Sequence, residues 1–404
     1  MPWTTTNTAK GDNKLYSDAR GVVPSLDLRF ASQKNLNDYM TGQNLITFSR
    51  PVGVNQSPGT YVDENGIIQL SSADTPRFDH DPTTGESLGL LIEESRTNLV
   101  TYSEQFEDVS WGRAGTTSVT PNAAIAPDGS MTADQISLLS INSRISKFDL
   151  ITTPGQAGTA SIYIKNIDHV GSLTLRTNIV GGSAYNKFIT LSNEWQRYDL
   201  TTVHNGTDNI GITIRETTSN PSGSFLVWGA QVEAGSFPTS YIPTTGTALI
   251  RSADVAEITG TNFSSWYNQS EGTTYLDFSR PFAPISSKYW YSFSGSNVIT
   301  QRHSVYQPVN LAVVATTNDG TTQVTLSIAG SFSNKHAYAY KLNDYAACVD
   351  GGTVGTDTTA TVPAIVKLNI GSFGNGFEQP NGTISRLTYF PDRLPDATLQ
   401  AITA

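Results

Sequence analysis

His336-Ala337-Tyr338-Ala339-Tyr340-Lys341-Leu342 alternates large side chains with tiny or polar ones. Successive side chains of a β-strand point to opposite faces, so this period of two predicts a strand. Its surroundings repeat the pattern. From Thr245 to Ala404 the strand candidates are Thr273 to Ser279, Tyr289 to Phe293, Leu311 to Ala315, Val324 to Ile328, Tyr345 to Val349, Ala364 to Ile370 and Gly382 to Phe390. That series fits a β-sandwich. The last stretch, Leu394 to Ile402, predicts a short helix, capped by Asp396 and carrying a Leu399–Ile402 apolar pair.

Upstream, residues 99–244 hold longer strands. Candidates are Ala133 to Leu139, Gly158 to Lys165, Leu173 to Thr177, Asn186 to Thr190, Gln196 to Thr202, Asn209 to Arg215 and Ser224 to Val232. Gly, Asn and Pro between them indicate a second sandwich, of jelly-roll type. Pro238 and Pro243 flank Ser240-Tyr241-Ile242, an extended exit from it. Residues 21–98 read as a small β-rich connecting region, with Leu26-Asp27-Leu28-Arg29-Phe30 as a half-buried strand and Leu88 to Glu93 as one buried on both faces. Residues 1–20 are polar and unpatterned, either disordered or an arm ordered against a partner. The fold class is therefore all-β: an N-terminal arm and small β region, two β-sandwich domains at 99–244 and 245–404, and a short C-terminal helix. No repeat of fixed period is visible.

Composition agrees. Charged residues are 15% of 404, against ~25% in ordinary chains, which disfavours long surface helices. Aromatics at 10% exclude a disordered chain. The net charge of −10, with no Lys or Arg cluster, argues against nucleic acid as a partner. Apolar runs such as Leu311 to Ala315 are far shorter than the ~18 residues of a membrane span, so no membrane insertion is expected. Met1-Pro2-Trp3-Thr4 has neither a basic nor an apolar region, so no secretory signal is expected. A single cysteine, Cys348, leaves no intrachain disulfide and no cysteine zinc site; its strand-like flanks predict a buried small hydrophobe.

Catalytic motifs are missing: there is no GxGxxG, Walker loop, HExxH or GxSxG. Asp79 and Asp81 flank His80, but on a strand they point away from it, so a turn network is expected there rather than a metal shell. No metal site is assigned. Calcium has oxygens available in Asp344 and the Asp350-Gly351-Gly352 turn, although Asp-Gly is also the ordinary hairpin signal. Glu93 and Glu94 diverge on a strand and cannot flank one bond; Glu104 with Glu107, and Asp277 with Asp344, are the other carboxylate pairs. No catalytic residue is assigned. Aromatics are dense in the last domain: Trp266, Tyr267, Tyr289, Trp290 and Tyr306. Flat rings stack on the C–H faces of sugars, and these five are the candidate glycan-binding residues. Alternation places Trp290 on one face and Tyr289 with Tyr291 on the other, one of them interior.

The stretch Pro76-Arg77-Phe78-Asp79-His80-Asp81-Pro82-Thr83-Thr84-Gly85-Glu86-Ser87-Leu88-Gly89-Leu90-Leu91-Ile92-Glu93-Glu94-Ser95-Arg96-Thr97-Asn98-Leu99 resembles a segment recurrent in tailed-phage and prophage virion proteins. The likeness extends upstream through Leu26 to Ala31 and Thr60 to Gly66. Downstream, Trp111, Ala126 to Gly129, Asn193 to Tyr198, Trp228 to Glu233 and Pro238 to Thr244 are similar to the carbohydrate-binding-like jelly roll of those proteins. Ala339 to Gly352 and Asn381 to Pro391 look like a concanavalin/laminin-G-like end.

The resemblance implies a virion surface protein, made in the bacterial host cytoplasm and docked through residues 1–20. It implies a tail fibre or receptor-binding adhesin, a homotrimer, whose partners are other virion proteins and a host surface carbohydrate. A capsid decoration, head fibre or tail adaptor is the alternative. A glycan depolymerase is the second, although the long β-helix repeats of many depolymerases are absent. No family active-site residue maps onto this chain, and the expectation is a non-enzyme without cofactor.

Overall fold

The structure, a computed structural model, describes residues 15, 22–150, 156–177, 185–203, 210–283, 286–309, 312–374 and 376–404. It is all-β, with two sandwiches and a short C-terminal helix. The expected arm lies outside the described residues except for Leu15, which is buried against the C-terminal helix cluster.

One sandwich joins an eight-stranded to a seven-stranded sheet. The eight-stranded order is Gly355–Asp357, Tyr345–Val349, Ser333–Lys341, Glu271–Ser279, Gly382–Phe390, Ser87–Ile92 and Phe78–His80, with Leu26–Leu28 also paired to Gly382–Phe390. The seven-stranded order is Thr47–Ser49, Val255–Thr259, Lys367–Ile370, Lys288–Ser294, Arg302–Gln307, Val313–Asn318 and Thr322–Ile328. Residues 21–98 are thus more than a connection. Leu26 lies opposite Tyr389, and Ile92 opposite Gly382. The physical reason is burial. Leu26, Leu28, Phe30, Leu90 and Ile92 are fully buried in one core with Leu276, Phe293, Leu368 and Ile384. So short a stretch has too few apolar side chains to close a core by itself.

The alternating stretch works on both faces. His336, Tyr338 and Tyr340 are buried; both tyrosines enter the inter-sheet core. Ala337 and Ala339 face away from it, yet not toward water. Leu399 and Ile402 of the C-terminal helix Asp396–Thr403 pack there, with Ala346, Cys348 and Phe390. Tiny side chains let the helix approach the strand closely. Cys348 is buried, as its flanks predicted. Asp396 does not cap the helix: Pro395 holds that position, its carbonyl accepting from Thr398 and Leu399 N–H, and Asp396 pairs instead with Arg393 at 2.7 Å.

The jelly roll packs two five-stranded sheets around a separate core that includes Ile136, Ile145, Ile162, Ile212 and Val227. One sheet runs Thr117–Ala124, Ala133–Leu138, Phe225–Ala234, Ala157–Asn166, Gln196–Val203. The other runs Tyr185–Ile189, Leu173–Thr177, Ile210–Glu216, Arg144–Leu150, Gly112–Ala114. Chain entry and exit lie side by side. Leu99 N–H donates to Val232 O at 2.8 Å, and Asn98 Nδ2 to Ile242 O at 2.9 Å.

Where the two sandwiches meet, a knot of charges is sealed from water. Asp254 accepts from Arg50 Nη1 (2.7 Å), Arg77 Nη2 (2.6 Å) and Glu93 N–H (2.9 Å). Glu93 pairs with Arg77 (2.8 Å) and Arg251 (2.9 Å), and accepts from Ser240 N–H (2.8 Å) and Oγ–H (2.6 Å). Burial alone pushes a carboxyl up, but here Arg251, Arg77 and the Ser240 donors hold Glu93 down at about 2. Gly59, at φ +78°, is required beside it: a Cβ would sit 2.7 Å from Arg251 Cδ.

Two predictions follow from this interior. Asp254→Asn keeps the shape but strands the buried Arg50 guanidinium and leaves Arg77 with Glu93 alone; breaking such a set costs ~3–5 kcal/mol. The denaturation midpoint should fall accordingly, and an unchanged midpoint would show the charge to be dispensable. His336 is fully buried, with no partner for either ring nitrogen among the described residues, and burial lowers its pKa to about 3. The unfolded chain takes up that proton below ~6.5 while the folded chain refuses it, so this residue's contribution shrinks as pH falls. His336→Leu should therefore gain ~1.4 kcal/mol on wild type per pH unit between ~6 and ~4, read by denaturant titration at each pH. A pH-independent difference would refute the neutral buried imidazole.

Candidate functional site

The five candidate aromatics divide at a β-bulge. Tyr289 pairs with Tyr306, but Tyr291 pairs with Val305, so Trp290 has no rung of its own. One extra residue in a strand breaks alternation. Trp290 and Tyr291 both become fully buried, correcting the two-faced reading of this triplet. Trp290 lies 4.1 Å from the Phe278 ring, and its Nε1–H donates to Gln307 Oε1 at 3.2 Å. Trp266 is 6% exposed and Tyr267 packs with it among Phe263, Phe293 and Tyr389. These three rings are core, because the sandwich needs large side chains to fill the space between its sheets.

Tyr289 and Tyr306 remain on the outer face of the seven-stranded sheet, both half-buried. Their rings stack at 5.0 Å and 28°. Phe373 extends the pair at 4.9 Å from Tyr289, and the Arg302 guanidinium lies 5.2 Å from the Phe373 centroid. Burial pushes the Tyr289 phenol up to about 12 and raises Tyr306 in the same direction, so both are neutral donors near pH 7. Neither phenol oxygen has a hydrogen-bond partner among the described residues. The buried tyrosines differ: Tyr291 bonds Thr274, Tyr338 bonds Thr317, and Tyr340 bonds Tyr389. Beyond the pair, register carries Ser304, Thr316 and Thr325 across the same face; Ser304 and Thr316 are buried and bond each other at 2.9 Å, and Thr325 is exposed. The site is an aromatic shelf with two unspent hydroxyls, on a sheet face where Thr325 is also exposed. Arg302 and Phe373 were not foreseeable, since strand pairing and a distant loop bring them there.

A cleft of about 480 Å³ opens at the junction of the sandwiches, lined by Tyr163, Arg197, Asp199, Phe237, Phe282 and Thr383 among others. Phe237 and Phe282 stack across it at 5.5 Å and 11°. Its acids are already committed. Glu93 belongs to the knot, and Asp79 accepts Val62 N–H at 2.7 Å while burial raises it to about 6. His80 Nδ1 meets Val62 O at 2.9 Å, and Asp81 accepts from Thr83 and Thr84 N–H, the turn network expected of this triplet.

The carboxylate pairs considered from sequence do not converge. Glu94 binds Arg96 and Lys288, away from Glu93. Glu104 accepts from Tyr241 OH at 2.9 Å. Lys341 lies opposite Glu271, six residues along the strand from Asp277. At ~3.3 Å per residue, Asp344 in the following turn is ~20 Å from Asp277. Asp344 pairs with Arg393 at 2.8 Å, and Asp350 accepts Lys335 N–H at 2.7 Å.

No family model and no curated protein matches this chain. Among solved structures it is similar to the CBM40 of Ruminococcus gnavus IT-sialidase bound to α2,6-sialyllactose, at 17% identity over 35% of this chain and 88% of that one, with a TM-score of 0.31. It is also similar to the CBM22-1 xylan-binding domain of Paenibacillus barcinonensis Xyn10C (14% identity, 36% and 99% covered, TM-score 0.29). A third is the NanB sialidase of Streptococcus pneumoniae (16% identity, 36% and 26% covered, TM-score 0.31). Likeness of this size assigns no residue of the chain a role.

The bulge separates two substitutions. Trp290→Ala should cost ~3–5 kcal/mol of stability, as large-to-small changes in packed cores do. Tyr306→Ala, on the outer face, should cost under ~1 kcal/mol. Equal thermal shifts in the two variants would contradict the assignment of faces.

Proposed function

We propose that this protein is a non-catalytic, glycan-binding attachment protein of a virion surface. The observation that carries the glycan reading is the outward Tyr289–Tyr306 pair, stacked and half-exposed, with both hydroxyls unspent. Sugar rings offer apolar C–H faces for stacking and hydroxyls that exchange hydrogen bonds with phenol and alcohol groups. The shelf supplies both kinds of contact on a rigid sheet, which limits the ordering cost of binding. The virion reading is supported by the Pro76–Leu99 stretch and its upstream and downstream likenesses. In it, the N-terminal arm docks to other virion proteins, and trimerisation covers sheet edges that would otherwise aggregate.

Binding of the purified full chain to intact host cells, read by fluorescence, tests the proposal against cells stripped of surface polysaccharide. Binding should be lost on stripping and weakened at least ~10-fold by Tyr306→Ala, since truncating a central aromatic contact costs ~1–2 kcal/mol or more. Equal binding to both cell preparations would overturn the glycan reading. No binding to either would move the protein to the decoration or adaptor class.

A further inference from the structure

The jelly roll carries a second feature that the aromatic shelf does not explain. Antiparallel partners share a sheet face, so register reads out which side chains are neighbours. Arg144 lies opposite Arg215, Arg215 opposite Thr174, and Thr174 opposite Phe188. One rung further, Arg176 lies opposite Thr213. Leu173, Leu175, Ile145 and Ile214 alternate with these residues and fill the core. The three arginines therefore stand together on the outer face.

None of the three has an ion-pair partner among the described residues. Arg215 donates to Asn142 Oδ1, and all three side chains are half-buried. Elsewhere in this chain most buried guanidiniums are met by carboxylates, as Arg50, Arg77, Arg251 and Arg386 are. Burial lowers the Arg176 pKa, and the Arg215 and Arg144 charges press it further in the same direction. Three like charges left uncompensated, in a chain of net charge −10, form a site of unsatisfied attraction.

Aromatic rings border it. Phe188 is 72% exposed on the same rung. Phe148, 40% exposed, lies over two glycines of neighbouring strands: Cβ atoms at Gly112 and Gly211 would come 3.8 and 3.4 Å from its ring. Planar guanidiniums bind carboxylate or sulfate oxygens as two-pronged donors, and flat rings take the C–H faces of a sugar.

We propose that the outer face of this sheet, through Arg144, Arg176 and Arg215, binds an acidic polysaccharide by its carboxylate or sulfate groups. The patch is short and flanked by exposed rings, which suits a sugar residue better than a nucleic acid, whose charges recur every ~1.7 Å along the duplex. This site is independent of the Tyr289–Tyr306 shelf and can fail without it.

The test is binding of the full chain to three immobilised polymers: polygalacturonate for carboxylate, dextran sulfate for sulfate, and unmodified dextran as neutral control. Wild type is compared with Arg144→Gln/Arg176→Gln/Arg215→Gln and with the Tyr306→Ala variant. At least one anionic polymer should bind, the triple variant should lose ten-fold or more, and Tyr306→Ala should keep that affinity. Which anionic polymer binds identifies the group recognised. Thermal melting confirms that the triple variant is folded, and Arg176→Lys alone, which keeps the charge but removes the fork, should lose several-fold. Undiminished binding by the triple variant, binding to neither anionic polymer, or equal competition by single-stranded DNA would overturn the proposal.

Discussion

Three guanidiniums and two carboxylates, Arg50, Arg77 and Arg251 with Glu93 and Asp254, are locked together out of contact with water. Stripping ions of water costs several kcal/mol each, and only complete pairing with additional hydrogen bonds offsets it. Pairing here is nearly complete: within the set, only the Nε atoms of Arg77 and Arg251 lack a partner among the described residues. Arg50 alone reaches Asp254, Ser71 Oγ, Pro58 O and Thr75 O. Such a set adds little net stability over well-packed apolar residues, but it penalises every alternative arrangement, because any slip leaves a naked charge inside. Segments 50–98 and 240–254 must therefore arrive in one mutual position. That position fixes how the jelly roll leaves and rejoins the other sandwich.

The chain path makes this constraint useful. Leu26–Leu28 pairs with Gly382–Phe390, so one sheet closes only when the two ends of the described chain meet. Contacts of such long sequence separation are slow to form. The buried Asp27–Arg386 pair at 2.8 Å, with Thr388 Oγ1 donating to the same carboxylate, marks the correct register of that late pairing. Specific polar contacts thus sit at both places where distant segments join.

Much of the architecture was legible because alternation is a local property. His336 to Leu342 reads as a strand with two faces in any context, and burial confirms which face is which. The alanine face was harder to interpret, since a helix that arrives over fifty residues later covers it. Tyr291 was placed on the wrong face because a bulge is set by pairing, and pairing is not written in the strand itself. Arg77, Glu93 and Arg96 belonged to a conspicuous stretch, but their partners Asp254, Arg251 and Glu233 lie more than a hundred residues away. The arginine face escaped for the same reason: Arg144, Arg176 and Arg215 are far apart in sequence, and no cluster appears until three strands align. Of the glycan candidates, sequence supplied the ring types but not their orientation.

The geometry of the Leu26–Leu28 and Gly382–Phe390 pair also has a mechanical meaning. Because Leu26 faces Tyr389 in antiparallel register, the chain before Leu26 and the chain after Phe390 leave the sheet at the same end. Tension applied between those two directions opens the pair like a zipper, one rung at a time, rather than shearing all its hydrogen bonds together. The Asp27 clamp on Arg386 stands one rung in and is the first real resistance such a pull would meet. The jelly roll, entered and left at neighbouring points, lies outside that line of force. Its outer faces keep their shape while the rest of the molecule bears the strain.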